Sequence, residues 1–296
     1  MAGKWLLESP LLCLTSGWLC LVLLVALLAP MVGVDANQIH PQAGLLSPGY
    51  FPFVLGTDDL GRDLLSRLAV GARISLTIGL LTALVSTGLG AAYGLLAALA
   101  KGWLDALLMR TIDVLYGLPG LMVVILLGVF MEPVFLNLGT VWPWLQAAGV
   151  GRMISLVMAL ALFSWPDTAR MVRAQVLALT QEEFVEAFHS LGGSGWRLVW
   201  FHLLPNLSGL LILSATITVP RAILTESTLS FIGLGVDPPM SSWGTLASDG
   251  WQLVRMAPHL LLLPAAFILL TMLALQLLGD RLQQRWQPTL RNRASA

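Results

Sequence analysis

Long runs of apolar residues without Asp, Glu, Lys or Arg dominate the hydrophobic pattern of this 296-residue chain. Because the hydrocarbon core of a bilayer is about 30 Å thick and an α-helix rises about 1.5 Å per residue, a run of about 20 apolar residues can cross it. The six predicted spans are residues 10–34, 74–100, 114–131, 153–166, 206–220 and 260–279. The fourth is short unless it recruits neighbours such as Val150 or Ala169, and the fifth must extend past Arg221 towards Thr225. The pattern therefore predicts an all-α integral membrane protein.

The composition supports a membrane protein and excludes several other classes. Hydrophobic residues make up 57% of the chain and charged residues 11%, whereas an ordinary soluble domain has about 25% charged residues. Sixteen Lys and Arg balance sixteen Asp and Glu, so there is no basic excess for a nucleic-acid partner. The two cysteines, Cys13 and Cys20, lie in one apolar run, which is neither a disulfide framework nor a metal-ligand spacing.

The distribution of Lys and Arg predicts the orientation of the spans. With the N-terminus inside, ten of these residues lie on the cytoplasmic side and six on the other. The clearest part of this difference is the set of four arginines between residues 281 and 293. Because cytoplasmic loops carry the excess of Lys and Arg, both termini are predicted to be cytoplasmic.

These spans divide the chain into four parts, without room for a second soluble domain. The parts are an N-terminal segment with the first span (1–34), an extracytoplasmic loop (35–73), a transmembrane core (74–279) and a cytoplasmic tail (280–296). The core contains an inner loop at 167–205, whose part at 180–205 is predicted to form short helices, and an outer loop at 226–258. These loops are the segments large enough to carry a function.

The inner loop begins with the signature of a short helix. Thr180 and Glu183 have capping-box spacing, so a helix is expected to start there. Gly192 and Gly193 are expected to end it, because glycine adopts the left-handed C-terminal conformation without steric cost. The apolar positions repeat at i, i+3, i+4 and i+7, namely Phe184, Ala187, Phe188 and Leu191.

A second short helix is predicted after the glycine pair. Ser194 is a suitable N-cap, and Pro205 is expected to stop the helix. Its apolar positions repeat the same spacing at Trp196, Val199, Trp200 and Leu203. Two such helices form either a knob that enters the cytoplasm or an interfacial hairpin among the lipid headgroups. The pattern alone favours neither.

The inner loop resembles the EAA coupling motif of ABC importer permeases, E-A-A-x3-G-x9-I-x-L-P. The matching residues are Glu186, Ala187, Gly192, Leu204 and Pro205. Phe188 replaces the second alanine and His202 replaces the isoleucine. The resemblance implies that this loop is a coupling helix seated in a groove of a cytoplasmic ATPase.

Both outer loops carry further motifs. Gly56 and Gly61 permit tight turns in residues 55–76, where alternating Asp and Arg residues can form ion pairs. Residues 63–73 are expected to start the helix that continues as the second span. In residues 226–244, glycines and prolines break the helix, and Trp243 has a ring suited to a membrane interface. The two segments resemble the LGTDxLGRDxLSRxxxGxRxSL and ExxLSFxGLGxxPPxxSWG signatures of the C-type permease of dipeptide, oligopeptide and nickel importers.

This resemblance implies a type I ABC importer permease fold in the bacterial inner membrane. The implied partners are a second homologous permease subunit, two cytoplasmic ABC ATPases and an extracytoplasmic solute-binding protein. The only lysines are Lys4 and Lys101, and neither ends a phosphate-binding loop. ATP and Mg are therefore expected on the partner ATPases, with no cofactor in this chain. The four histidines are scattered, so neither a catalytic nor a metal site is expected.

Arg221 and Glu226 are the ionisable candidates near the fifth span. They are interpreted as residues of the translocation pathway or its outer gate, because charged groups inside a membrane are costly and usually functional. The alternative is an arginine that snorkels to the surface. The substrate is expected to be a di- or oligopeptide, with nickel or another small solute as the alternative. A non-transport scaffold stays open, whereas the nearly charge-free spans disfavour an ion-coupled transporter.

Overall fold

The computed structural model describes residues 10–28, 35–100, 102–146 and 149–293. Within these ranges the chain is built from helices and turns. The β-type pairing in these ranges consists of two isolated bridges in the loop between α1 and α2. The predicted all-α fold class is confirmed. Ten α-helices are described: α1 (Pro10–Leu28), α2 (Leu64–Ala100), α3 (Gly102–Tyr116), α4 (Gly120–Leu138), α5 (Val150–Leu179), α6 (Glu183–Ser190), α7 (Gly195–Leu198), α8 (Leu204–Phe231), α9 (Trp243–Gln252) and α10 (His259–Arg293).

Five long helical segments in the described part of the chain are apolar enough to cross a membrane. They are Leu64–Ala100, Gly120–Leu138, Val150–Leu179, Gly195–Phe231 and His259–Gln283. A shorter apolar helix, Cys13–Leu28, lies within the first predicted span, whose residues 29–34 are outside the described part of the chain. The count of six spans and the cytoplasmic termini stay predictions. Lys4, Lys101 and the last residues of the predicted tail, 294–296, are also outside the described residues.

The central helix is α2, which packs against α5 and α8 through small residues. A Cβ atom added at Gly79 would lie 2.9 Å from Cγ1 of Ile223 in α8. A Cβ atom added at Gly94 would lie 2.4 Å from the carbonyl oxygen of Ala169 in α5. Lipid tails are as apolar as these side chains, so close van der Waals packing through small residues is what holds membrane helices together.

Separate apolar clusters form at the two ends of these helices. At one end, which we call the Trp243 end, Leu68, Ile223 and Trp243 are buried together. At the other, which we call the Leu203 end, Ala98 and Leu203 are buried together. The chain thus crosses between two ends, and in the predicted orientation the Trp243 end is extracytoplasmic.

The helix α2 begins earlier than the predicted span. Its first residue is Leu64, ten residues before the apolar run that begins at Ile74, which agrees with the predicted helix start in residues 63–73. The Asp63 carboxylate accepts a hydrogen bond from the Ser66 backbone N–H at 2.9 Å. This is the geometry of an N-cap, which satisfies a free N–H of the first helical turn.

The third predicted span, 114–131, is displaced along the chain. Its first residues belong to α3, which ends at Tyr116, and the apolar helix α4 runs from Gly120 to Leu138. Pro119 precedes α4 in an extended conformation and separates the two helices. A proline lacks the N–H that a continuous helix would need there, which explains the break.

The fourth predicted span, 153–166, is much too short. The helix α5 runs from Val150 to Leu179 and contains Pro166 in its interior. In a membrane, neighbouring groups can satisfy the carbonyl that an internal proline leaves free, so Pro166 does not end the helix. Asp167 is therefore an intrahelical residue and not the first residue of an inner loop.

Candidate functional site

The glycine pair in residues 180–205, which we call the inner segment, ends α6 as predicted. Gly192 has a φ of +76°, and the Gly193 N–H donates to the Phe188 carbonyl oxygen at 3.0 Å. A hydrogen bond from a backbone N–H to the carbonyl oxygen five residues earlier, with a left-handed glycine directly before the donor, is a Schellman C-terminus. The turn then leads into α7, so the predicted corner between two short helices is confirmed.

The start of α6 differs from the predicted capping box. Thr180 follows the last residue of α5, and its hydroxyl donates to the Leu177 carbonyl oxygen at 2.9 Å. Thr180 therefore completes the last turn of α5, and α6 begins at Glu183. The capping-box prediction is wrong because the preceding helix reaches further than its sequence pattern indicated.

One face of the inner segment is anchored to the Leu203 end. Val185 of α6, Leu198 of α7 and Leu203 of the π-helical turn Val199–Leu203 are buried. They pack into the cluster that contains Val176 near the end of α5. The segment is thus fixed to the transmembrane helices through its own apolar residues.

The opposite face of the inner segment is exposed. Glu186 and Ala187 of the coupling motif lie on this face. Leu191, Trp196 and Phe201 are 89%, 71% and 73% exposed. The apolar stripe predicted for α6 is therefore turned largely outward. Exposed apolar patches of this kind mark surfaces that meet a partner or a membrane.

The two residues that depart from the coupling motif contact each other. The ring centroids of Phe188 and His202 lie 4.9 Å apart in an edge-to-face arrangement. A Cβ atom added at Gly193 would lie 2.2 Å from the Phe188 ring. The larger residue at position 188 is thus accommodated by the absence of a side chain at position 193.

The prediction that Pro205 stops the second helix is wrong. The chain passes from α7 through the π-helical turn into α8, which has Leu204 and Pro205 in its first turn. The Asn206 side chain donates to the His202 carbonyl oxygen at 2.7 Å. The wider π-helical turn before Pro205 relieves the carbonyl crowding that a proline causes, and the Asn206 side chain adds a hydrogen bond to the neighbouring carbonyl. The inner segment is consequently continuous with α8.

The first outer motif folds around the buried carboxylate of Asp58. Asp58 accepts hydrogen bonds from the Arg62 side chain at 2.6 Å and from the Arg67 side chain at 2.7 Å. Gly56 and Gly61 have φ values of +85° and +76°, which confirms the predicted tight turns. The alternating Asp and Arg residues therefore form local ion pairs, and these pairs are largely buried.

The two outer motifs meet at Trp243, which is fully buried. This burial differs from the predicted position of the ring at a membrane interface. Its indole N–H donates to the Leu68 carbonyl oxygen at 3.1 Å, and its backbone N–H donates to the Ser75 hydroxyl at 3.2 Å. Arg67 also lies 3.5 Å from Asp249 of α9. Partial burial raises the pKa of Asp249, and the Arg67 charge opposes that rise. The motifs therefore build one structural unit at the Trp243 end.

Glu226 is fully buried in that unit. It accepts hydrogen bonds from the hydroxyls of Ser230 at 2.7 Å and of Ser75 at 3.4 Å, which link α8 to α2. The role of Glu226 at an outer gate stays a prediction. Its burial among hydroxyl groups favours a structural role, because a buried carboxylate needs hydrogen-bond donors to offset its lost hydration.

Arg221 lies apart from Glu226, in an exposed ion pair. Its guanidinium is 3.0 Å from the Asp167 carboxylate of α5. The Tyr116 hydroxyl donates to the other oxygen of the same carboxylate. The sequence pattern did not single out Asp167, because the apolar run ends at Pro166, or Tyr116, because it lies inside the third predicted apolar run. The residue types after Pro166, which include Ala169 and Leu177 but no glycine, could have indicated a continuing helix.

The expectation that this chain has neither a catalytic site nor a metal site stays a prediction. Among residues 10–28, 35–100, 102–146 and 149–293, no group of three or more His, Cys, Asp or Glu side chains is placed to hold a metal ion.

Comparisons with known proteins agree with these features. The chain is 44% identical to the dipeptide transport system permease protein of Bacillus subtilis over 238 residues, which cover 80% of this chain and 68% of that protein. It is 36% identical to the oligopeptide transport system permease protein of the same species over 274 residues, with 92% and 83% covered. It is 36% identical to the glutathione transport system permease protein of Pectobacterium atrosepticum over 238 residues, with 80% and 73% covered.

Residues 66–292, which extend from the first turn of α2 almost to the end of α10, match one protein family. The family is described as the binding-protein-dependent transport system inner membrane component. The long apolar helices and this match identify a multi-pass protein of the bacterial inner membrane. The chain belongs to the family of binding-protein-dependent transport system inner membrane components.

Proposed function

We propose that this chain is one of two permease subunits of an ATP-driven importer for di- or oligopeptides. In this proposal the second subunit is homologous, an extracytoplasmic solute-binding protein delivers the peptide, and two cytoplasmic ABC ATPases drive transport. The names of the relatives, which are permeases for dipeptides, oligopeptides and glutathione, support the substrate class. No observation favours nickel over peptide.

The observation that carries the proposal is the two-sided inner segment. One face is anchored by Val185 and Leu203, and the other leaves Leu191 and Phe201 exposed beside Glu186. A partner that binds the exposed face can displace α6 and α7, and their anchored face would transmit the displacement to the transmembrane helices. Coupling of this kind needs a partner that binds two conformations with different affinities.

The energy for transport would come from the partners. ATP and Mg would be bound by the two ATPases, whose closure would move the inner segment and shift the spans from an inward-facing to an outward-facing state. Glu186 would orient the segment through a polar contact with the ATPase. Ala187 and Gly192 would shape the surface, and Leu204 and Pro205 would join it to α8.

The test is ATP turnover of the reconstituted importer with Gly192→Pro in this chain. Gly192 has a φ of +76°, which proline cannot adopt. We expect the assembled variant to lose the stimulation of ATP turnover by binding protein and dipeptide. Glu186→Ala, at an exposed position, provides a second variant that does not strain the backbone.

A matched control is Gly195→Pro, in the same segment. Gly195 is the first residue of α7, and Ser194 before it is extended, so a proline fits there. We expect this variant to keep stimulated turnover. If Gly192→Pro and Glu186→Ala assemble and are both stimulated like the wild type, the segment is not the coupling element and a scaffold function is favoured instead.

A further inference from the structure

Five polar side chains from three helices form a cluster halfway along α5 and α8. Arg221 of α8 lies 3.0 Å from Asp167, and Tyr116 of α3 donates to the same carboxylate. Arg170 lies 2.6 Å from Asp113 of α3, with its guanidinium carbon 4.5 Å from the centre of the Tyr116 ring. We call these five residues the polar cluster.

The polar cluster lies deep within the spans. An α-helix rises about 1.5 Å per residue. Asp167 is therefore about 18 Å from the Leu179 end of α5 and about 25 Å from its Val150 end. Arg221 is about 15 Å from the Phe231 end of α8. Arg221 thus pairs with a carboxylate of a neighbouring helix well away from the ends of α5 and α8, which favours a held guanidinium over one that snorkels to the surface.

The cluster is nevertheless open in the single chain. The side chains of Asp167 and Arg221 are 53% and 67% exposed. Charged groups at this depth face a water-filled cavity or another protein surface, because exposure to lipid tails is costly. Its two carboxylates and two guanidinium groups carry no formal net charge.

We propose that the polar cluster is a contact site for the charged ends of a short peptide in the translocation pathway. This inference rests on the proposed function and specifies its substrate site. The Asp167 carboxylate would receive the peptide ammonium group, and the Arg221 guanidinium would receive the peptide carboxylate. Both are charge-assisted pairs, and guanidinium–carboxylate pairs are frequently bidentate.

The geometry suits a site of transient contact. An exposed ion pair contributes little to stability, so a zwitterion can replace it with two similar pairs at small cost. Because the cluster is balanced in charge, it neither repels nor traps a neutral zwitterion. A pathway needs both properties, since a substrate must enter a site and also leave it.

The experiment measures uptake into proteoliposomes that contain the complete importer, with dialanine, N-acetyl-dialanine and dialanine amide as probes. The variants are Asp167→Asn and Arg221→Gln. We expect each to reduce dialanine uptake about tenfold, as the loss of one charge-assisted pair does. We also expect Asp167→Asn to lose the discrimination against N-acetyl-dialanine, and Arg221→Gln to lose that against dialanine amide.

Binding of each probe to the isolated solute-binding protein corrects for selection before the permease. The control is Asp237→Asn, which breaks the 2.5 Å ion pair of Asp237 with Arg152 at the other end of α5. This variant should keep wild-type uptake and discrimination. Selectivity is compared among the three probes on the same variant. If a substitution only damages the structure of the importer, uptake of all three probes falls by the same factor, and this result would overturn the proposal.

Two other outcomes also overturn it. Wild-type uptake and selectivity in both variants would show that the cluster does not contact the peptide. Failure of both variants to assemble with the second permease would assign the cluster to the subunit interface. If the wild-type importer itself takes up no dialanine although its ATP turnover is stimulated, the peptide substrate of the proposed function is wrong.

Discussion

At the scale of single residues, Glu226 shows how a carboxylate can be held in the interior of a membrane protein. Its oxygen atoms accept a hydrogen bond from Ser230 on the same helix and a longer one from Ser75 on α2. The Ser75 hydroxyl also accepts the Trp243 backbone N–H. Loss of the carboxylate would therefore affect three helices, α2, α8 and α9.

We expect Glu226→Ala to destabilise the importer far more than Glu226→Gln. Alanine leaves the Ser75 and Ser230 hydroxyls without their acceptor, which costs about 1–3 kcal/mol for each buried group, whereas the glutamine carbonyl still accepts from Ser230. The measurement is the melting temperature of the detergent-solubilised complex. Equal melting temperatures for the two variants would contradict a role of the hydrogen bonds.

Gly193 provides a test of local packing in the inner segment. A Cβ atom there would lie 2.2 Å from the Phe188 ring, so Gly193→Ala must displace that ring from His202. We expect Gly193→Ala to lower the ATP turnover that binding protein and dipeptide stimulate, and Phe188→Ala in the same chain to restore it. Gly195→Ala, which has no atom within 4 Å of the added Cβ, is the control. A double variant as impaired as Gly193→Ala would disprove the steric explanation.

The sequence predicts those details that depend only on residues close together in the chain. The left-handed turn at Gly192 follows from residues within one helical turn, so it was predictable. The contact between Ser75 and Glu226 joins positions 151 residues apart, and no local pattern indicates it. Trp243 was assigned to an interface by its residue type, but the space left by Gly71 beside its ring allows it to be buried.

At the scale of helices, polar bridges fasten α3 to α5. Arg173 donates two hydrogen bonds to Asp105, at 2.6 and 2.5 Å, and Arg170 pairs with Asp113 two helical turns along α3. The Asp105 pair is the more buried of the two. The hydrogen bonds from Arg173 lower the pKa of Asp105 below the value of 3.8 for a free aspartate.

We expect the contribution of the Asp105 pair to depend on pH in a defined direction. The pKa of Asp105 is lowered in the folded state from the value of 3.8 for a free aspartate. The pair therefore stabilises the fold fully above that value, and its contribution is lost as the pH falls through the lower, folded-state pKa. The wild type should melt above Asp105→Asn by a constant margin from about pH 7 to about pH 5. The margin should shrink in stronger acid.

The matched control is Asp113→Asn, which removes the more exposed pair between the same two helices. Its effect on the melting temperature should be smaller at every pH, because exposed ion pairs contribute only about 0–1 kcal/mol. A margin for Asp105→Asn that widens in acid would contradict the direction of the pKa shift.

Helix existence was more predictable than helix length. The charge-free runs identified the apolar helices, because a run of that length has few alternatives in a membrane. Pro166 and Pro205 were both interpreted as helix ends, although α5 and α8 contain them. Neighbouring groups such as the Asn206 side chain satisfy the backbone near Pro205, and such compensation is visible only in the folded chain.

At the scale of the whole molecule, the inner segment and the Trp243 end are joined by one helix. From Gly195 to Phe231 the chain is helical without interruption, first as α7, then as the π-helical turn and α8. The helix α8 has 28 residues, and its length is therefore about 42 Å. Leu203 of the π-helical turn and Leu207 in the first turns of α8 pack against the ends of α2 and α5. A displacement of the inner segment can therefore reach Arg221 and Glu226 through a stiff element.

If α8 transmits the displacement, a flexible α8 should uncouple transport. We expect Ser208→Gly combined with Ile212→Gly to reduce peptide uptake per ATP hydrolysed, since each glycine in a helix interior costs about 0.5–1 kcal/mol and permits bending. Both positions are exposed, so the packing against α2 and α5 is kept. The control is Leu269→Gly with Leu273→Gly, at the same spacing on an exposed face of α10, which is not continuous with the inner segment. Uptake and ATP turnover are measured on the same proteoliposomes. Equal uptake per ATP in the two double variants would mean that the stiffness of α8 does not carry the coupling.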